Sequence, residues 1–433
     1  MKIVLVNKFL YPRGGDCLYT LRLMELLQNK GQSIIPFSMC HPSNPITGYE
    51  IYHVPYIDFN DELKNFSLTN AFKVISRSII NTRAARLMSK LIDDLKPDIV
   101  HLQNIHHQLT PAIVLAAAER NVPIVWTMHD YILNCPNDNF FCHGRICTRC
   151  ARGNNVHAVI HRCKKGSLAA SLLAAFECTL YNPKRLANYV FRFICPSHFM
   201  AEMLYRNGMP TEKVAVVPNF LVPVEIPSTG DDYFLYSGRL APEKGVDTLL
   251  EAFKDIDKPK LLIAGEGPQR NFLQNRAEQL GIKNVRFLGH RTPQEIQRLL
   301  AGCRAAIVPS VCYENLPYAI MEAMAAGKPV IASRIGGIPE MVEHEVTGLL
   351  FDPGNPDELA EMLDRISNDK KGAALMGQAG KNKVRRFYSA DRHYELLKEI
   401  YDQAGGFRAM EKMNHSADDE SAIAEEMIGN KKG

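Results

Sequence analysis

A chain of 433 residues with 46% hydrophobic content is too long for one ordinary core and suits two α/β domains of about 200 residues each. Its apolar start, Met1-Lys2-Ile3-Val4-Leu5-Val6, is cut by Lys8 and Arg13, far short of the roughly 20 residues of a membrane span. With no spanning or leader segment to be read there, the eleven cysteines are expected to stay reduced and the protein to be cytoplasmic. The net charge of +4 is uneven: residues 1–220 carry 24 Lys and Arg against 15 Asp and Glu, the remainder 27 against 32.

In chain order, Ile3-Val4-Leu5-Val6 reads as a buried strand, followed by a turn at Gly14-Gly15 and a helical pattern through Leu18, Leu21, Met24, Leu26 and Leu27. Apolar runs at 99–102, 124–126, 193–195 and 214–217 alternate with amphipathic stretches, which predicts a parallel sheet. After a linker rich in Pro, Val and Gly at about 221–231, the theme restarts at Tyr233 and continues through runs at 261–264, 285–288, 305–308 and 330–332. The expected fold class is therefore α/β, with two Rossmann-like doubly wound domains facing across a cleft, over residues 1–220 and 231–385. A helix over 386–404 follows, and the polar tail 405–433 reads as disordered.

Ligands of such sheets bind beyond the carboxyl ends of the strands. The first loop, Tyr11 to Asp16, lacks the three-glycine spacing of a dinucleotide fold, yet Gly14 and Gly15 let backbone approach a ligand closely. In the second domain, Arg239 and Lys244 place two cations on the loop leading into a helix, an arrangement suited to a pyrophosphate. Glu314 falls in a later loop and Glu322 inside the helix that starts near Pro317, so the two carboxylates serve different parts of one ligand.

Arg239, Lys244, Gly265-Glu266-Gly267-Pro268, Glu314 and Glu322, in that order, resemble the retaining GT-B glycosyltransferases of family 4, with the likeness strongest over 233–354. The resemblance implies that Arg239 and Lys244 neutralise a nucleoside-diphosphate sugar with help from the Gly14-Gly15 loop, that Glu322 accepts the ribose hydroxyls, and that Glu314 holds sugar hydroxyls. It also implies that His129, at a strand end, contacts the donor sugar beside the anomeric carbon, and that the helix over 386–404 crosses back onto the first domain. Family members often have Gly where this chain has Pro317, so the cradle must use Leu316 and Tyr318. Asp130 is expected to orient its loop, and Gly336-Gly337 to form a tight turn lining the nucleotide end of the cleft.

No cofactor for catalysis is expected: the one Asp-x-Asp, at Asp255 and Asp257, falls in a turn after a helix. Outside the shared pattern lies a basic, cysteine-rich insertion over about 131–190. Cys147-x-x-Cys150 has half the spacing of a structural zinc site, which Cys142 and Cys163 complete as candidates. Its cations favour an anionic partner, phospholipid or lipid pyrophosphate, and the helical run 167–176 can lie on a bilayer or pack in the core. Nucleic acid is disfavoured for want of a recognition element. The acceptor is read as a sugar or a lipid-linked or polysaccharide precursor; the competing readings are a GT-B nucleotide-sugar epimerase and an inactive sugar-nucleotide-binding protein.

Overall fold

The computed structural model describes residues 1–56, 79–222 and 232–406. In the first domain β1 (Lys2–Val6), β2 (Ser33–Phe37), β3 (Ile99–Leu102) and β4 (Ile124–Thr127) are followed by a small antiparallel hairpin of β5 (Phe141–Cys142) and β6 (Arg145–Ile146). Then come β7 (Arg192–Cys195) and β8 (Val214–Val216), and the parallel sheet runs β2-β1-β3-β4-β7-β8. The second domain holds β9 (Tyr233–Ser237), β10 (Lys260–Ala264), β11 (Val285–Gly289), β12 (Ala305–Val308), β13 (Val330–Ser333) and β14 (Gly348–Phe351), in the order β11-β10-β9-β12-β13-β14.

Both sheets carry helices on both faces, so their central strands are fully buried apolar runs such as Ile3-Val4-Leu5-Val6 and Ala305-Ala306-Ile307-Val308. Four strands were not read from the sequence: β5 and β6 of the hairpin, and β2 and β14, which are edge strands of the parallel sheets. Pro36 lies within β2, where a missing N–H is tolerated because one side of the strand is unpaired.

The chain reverses its direction of travel across the sheet between β1 and β3 in the first domain, and between β9 and β12 in the second. Such switch points open a crevice at the strand ends. Here they face one another.

The last helix starts later than expected. A helix Lys370–Phe387 belongs to the second domain; the chain then breaks at Tyr388-Ser389, where Leu221 N–H donates to Tyr388 O at 2.9 Å, and a separate helix runs over 390–406. That last helix buries Leu397, Ile400, Tyr401 and Ala404 against Leu5, Tyr19, Leu23 and Phe220 of the first domain. His393 Nδ1 meets Pro218 O at 2.8 Å, and the Tyr401 hydroxyl meets His101 Nδ1 at 2.6 Å. The expected disordered tail falls, from residue 407 on, outside the described residues, as does most of the linker, 223–231.

Candidate active site

The facing crevices merge into one cleft of about 900 Å³, within the size range of small-molecule sites and roomy enough for a sugar nucleotide. Its first-domain wall comprises Arg13 to Asp16, Asn104, His129 to Tyr131, and Asp138-Asn139. Its second-domain wall comprises Ser237 to Arg239, Glu243-Lys244, Gly265-Glu266, His290-Arg291, Ser310, Cys312 to Ala319, and Glu322. All nine expected donor and catalytic positions, Gly14, Gly15, His129, Arg239, Lys244, Glu314, Leu316, Tyr318 and Glu322, line this one cavity.

Gly14 is the N-cap of the helix Gly15–Asn29, whose first N–H groups and positive dipole end open onto the cleft. A Cβ on Gly15 would lie 3.9 Å from the Tyr318 ring, so the helix start and the opposite wall are close. The loop after β9 is brought onto the loop after β12 by Gly245. Its φ is +67°, and a Cβ there would stand 1.9 Å from Pro309 O. Val311 N–H then donates to Glu243 O at 3.0 Å, locking the two loops together.

That contact sets Lys244 against Glu314. Lys244 Nζ donates to Glu314 Oε1 at 2.6 Å, and Ser310 Oγ donates to the same oxygen at 2.6 Å. Burial would raise the Glu314 carboxyl, but Lys244, Ser310 and Arg239 outweigh it and hold its pKa below the ordinary value. For Lys244 burial acts downward, and Glu314, with Cys312 and Glu243, outweighs it upward. Sequence reasoning assigned these two groups to separate parts of a ligand. The structure joins them in an ion pair. Arg239 is exposed and pairs with Glu243, four residues on.

Glu322 lies in the helix Tyr318–Ala325, whose N-cap is Pro317. Burial pushes its carboxyl up, opposed by Arg22 of the first domain at 4.0 Å. Arg22 also stands 5.1 Å over the Tyr318 ring, and the Tyr318 hydroxyl is buried without a hydrogen-bond partner among the described residues. The Leu316 side chain is in the core, so only its backbone can meet a ligand. His129 Nε2 is hydrogen-bonded to Gln103 Oε1 at 2.8 Å, and its ring meets Tyr19 edge-on at 4.9 Å. Burial lowers its pKa against the pull of Asp16 and Asp130, which favours the neutral imidazole. Arg22 and Gln103 escaped the sequence reading because each meets its partner across a long stretch of chain.

Asp130 holds its loop as expected: Oδ1 accepts from Ile132 N–H at 3.1 Å and Oδ2 from Asn104 Nδ2 at 3.3 Å. Gly336-Gly337 does not line the cleft. At φ +59° Gly336 packs behind Glu314, where a Cβ would stand 2.3 Å from Glu314 O, and Gly337 N–H donates to that oxygen at 2.8 Å. The same loop is clamped to the first domain: Ser197 Oγ donates to Asn315 Oδ1 at 2.8 Å, and Tyr131 hydroxyl to Glu314 O at 3.3 Å.

The insertion occupies the connection from β4 to β7. Cys142 and Cys163 bring their sulfurs to 3.3 Å, whereas Cys147 and Cys150 do not join them in a ligand set. Among the described residues no three of His, Cys, Asp and Glu are arranged to hold a metal ion. Lys164 is not a free surface cation either; it donates to Asp138 Oδ2 at 2.6 Å on the cleft wall.

Residues 222–383 match the family model described as glycosyl transferases group 1, and residues 19–223 that of glycosyltransferase family 4. The chain is 32% identical over 229 residues to the uncharacterised glycosyltransferase MJ1607 of Methanocaldococcus jannaschii, covering 52% of this chain and 56% of the relative. It is 28% identical over 243 residues to the lipopolysaccharide 1,2-N-acetylglucosaminetransferase of Salmonella typhimurium, covering 49% and 63%. The chain thus spans a little over half the length of these curated relatives. Among solved structures it is similar to HepE of Anabaena in complex with UDP, at TM-score 0.65 and 18% identity over 93% of this chain and all of that one. It is also similar to sucrose-phosphate synthase of Thermosynechococcus elongatus, at TM-score 0.68 and 19% identity over 93% and 98%. At these identities the likeness is one of fold.

Proposed function

Since the chain belongs to the GT-B glycosyltransferases of family 4, we propose that it moves a sugar from a nucleoside-diphosphate donor to an acceptor hydroxyl, with retention at the anomeric carbon. The observation that carries this reading is the opposition, across one cleft, of Arg239, Lys244 and the helix start at Gly14-Gly15, with Glu322 at a separate place on the second wall. Two cations and a helix N-terminus suit a diphosphate, and they act where negative charge grows as the leaving group departs.

On donor binding the diphosphate competes with Glu314 for Lys244 Nζ. Glu314, partly released, accepts from sugar hydroxyls, and Glu322 accepts from the ribose. The neutral His129 imidazole meets a sugar hydroxyl without adding positive charge beside a reaction centre that itself becomes positive. The bond from the anomeric carbon to the diphosphate oxygen breaks and a bond to the acceptor oxygen forms on the same face. The acceptor's proton passes to the diphosphate, so no carboxylate nucleophile of the kind retaining glycosidases use is required. Asp255 and Asp257 do not line the cleft, so that pair holds no ion beside the donor.

HepE has been solved with UDP-glucose, which makes UDP-hexoses the first donors to try, and the Salmonella relative points to a glycolipid or polysaccharide acceptor. The test incubates the protein with UDP-, GDP- and ADP-sugars and glycolipid or oligosaccharide acceptors, with and without chelator. Acceptor-dependent release of nucleoside diphosphate and an axial or equatorial linkage matching the donor's are expected. Binding without release from any of these donors would leave a sugar-nucleotide-binding protein, and release of an inverted product would overturn retention.

A further inference from the structure

The helix Leu168–Leu180 is apolar on two sides. Its inner face buries Ser171, Ala174, Ala175 and Cys178. Its outer face carries Leu168, Leu172 and Phe176, one turn apart, exposed to 53%, 59% and 54%. The neighbouring helix Val156–Ile160 packs against it and exposes Val156 to 61% and Ile160 to 65%, again one turn apart. A surface helix of a globular domain turns polar side chains outward; one apolar all round is normally covered. Five large apolar side chains on two packed helices exceed the scattered exposure that surfaces tolerate.

The exposed charge that this stretch of chain contributes is of one sign. Arg149, Arg152, Arg162 and Lys165 are exposed in the loops before and between the two helices, and Lys184 and Arg185 are exposed just beyond the second. From Arg145 to Arg185 the sole acid is Glu177, and it points inward, 3% exposed, with His107 Nδ1 at 2.7 Å and His106 Nδ1 at 3.6 Å. The outer face therefore presents no carboxylate from this stretch. A protein partner of ordinary composition would need matching acids among its apolar anchors. An anionic bilayer supplies both at once, acyl chains for the apolar stripe and a negative headgroup layer for the rim.

We infer that the outer face of the helices Val156–Ile160 and Leu168–Leu180, with its cationic rim, docks the protein on an anionic lipid bilayer. The helix N-terminus is fixed by Ser167 Oγ, which accepts from Ala170 N–H at 3.3 Å. The adjoining Lys164 is paired to Asp138, which lines the cleft. The docking element is thus continuous with the first-domain wall.

The test is sedimentation of the full chain with phosphatidylcholine vesicles made with and without phosphatidylglycerol. Binding to the anionic vesicles alone is expected, with release near 1 M salt, where the Debye length is about 3 Å. Leu172→Gln with Phe176→Gln should lower the bound fraction about tenfold or more, because the apolar side chains no longer enter the headgroup boundary. Arg152→Gln, Arg162→Gln and Lys165→Gln together should move release to lower salt. Both variants should keep the wild-type melting temperature and nucleoside-diphosphate affinity, since the changed side chains are exposed and lie outside the cleft. Equal sedimentation of the apolar variant, or equal binding to phosphatidylcholine alone, overturns the inference. So does a concentration-dependent dimer by light scattering that the apolar variant abolishes while wild type ignores vesicles, for then a second copy covers the face.

Discussion

The two walls of the cleft are built on different principles. The second-domain wall is a set of short loops, each held by backbone: Val311 N–H to Glu243 O, Gly337 N–H to Glu314 O, and Gly238 N–H to Ala264 O, at 2.8–3.0 Å. The insertion that borders the first-domain wall, from 131 to about 190, has only a two-residue-per-strand hairpin and three helices of 5, 13 and 4 residues. Its backbone bonds are mostly short-range turns, such as Tyr131 N–H to Asp138 O at 2.9 Å and Cys147 N–H to Phe140 O at 2.7 Å, and side chains link its parts: the Lys164–Asp138 pair, the Cys142–Cys163 contact, and Phe140 edge-on to Tyr313 of the other domain at 5.9 Å. A wall made of backbone contacts tolerates little change in geometry. A segment of short local turns linked by side chains can change its surface while the sheet below it stays the same.

That contrast breaks first at Lys244. Lys244→Ala removes the cation proposed to meet the diphosphate and leaves the buried Glu314 carboxylate with Ser310 but without its ion-pair partner. Turnover is expected to fall about 100–1000-fold, as for loss of one preorganised transition-state contact, and the melting temperature to fall with it. A variant with near-normal turnover would remove Lys244 from the donor site.

Gly336→Ala tests the backbone wall without touching a ligand. It forces a side chain into φ +59° and against Glu314 O, with an expected loss of about 2–4 kcal/mol in denaturant unfolding. Full stability in this variant would mean that the loop yields, and the contrast between the walls would be weaker than drawn.

The junction of the last helix with the first domain should respond to acid. Burial lowers His393 to about 4 and His101 to about 3 from an ordinary 6.5. The unfolded chain therefore takes up protons near pH 6.5 that the folded chain refuses. The stability these two groups contribute is complete above that pH and is lost as pH falls from 6.5 toward 4, by about 1.4 kcal/mol per unit for each histidine. Thermal unfolding followed from pH 7.5 to 5 should show this slope, reduced in His393→Gln. An identical slope in that variant would place the acid sensitivity elsewhere.

The smallest effect is expected in the insertion. Cys147 is half-buried and its thiol has no hydrogen-bond partner among the described residues, so Cys147→Ser should change stability by no more than about 0.5 kcal/mol. A loss of several kcal/mol, together with zinc in the wild-type protein by elemental analysis and none in the variant, would instead restore the four-cysteine site that the spacing suggests.

How much of this was legible from residues alone depends on the range of each contact. The two doubly wound sheets, and the placement of Arg239, Lys244, Glu314 and Glu322 on loops and a helix start, follow from hydrophobic periodicity and from a Pro at the start of its helix. These are local signals, complete within about ten residues. Edge strand β2 was missed because Pro36 interrupts its apolar run, and β14 because its run is only four residues long and opens on Gly348. Which groups meet was decided by the tertiary structure. Arg22 reaches Glu322 and Gln103 reaches His129 only when separate elements fold together. Glu314 is held by Lys244, 70 residues away in the chain, because Gly245 lets two loops touch. The outward face of Leu168, Leu172 and Phe176 likewise could not be told from a core face in the sequence. An apolar residue has the same chemistry on either side of a helix, and only the packing of its neighbours decides which side meets water.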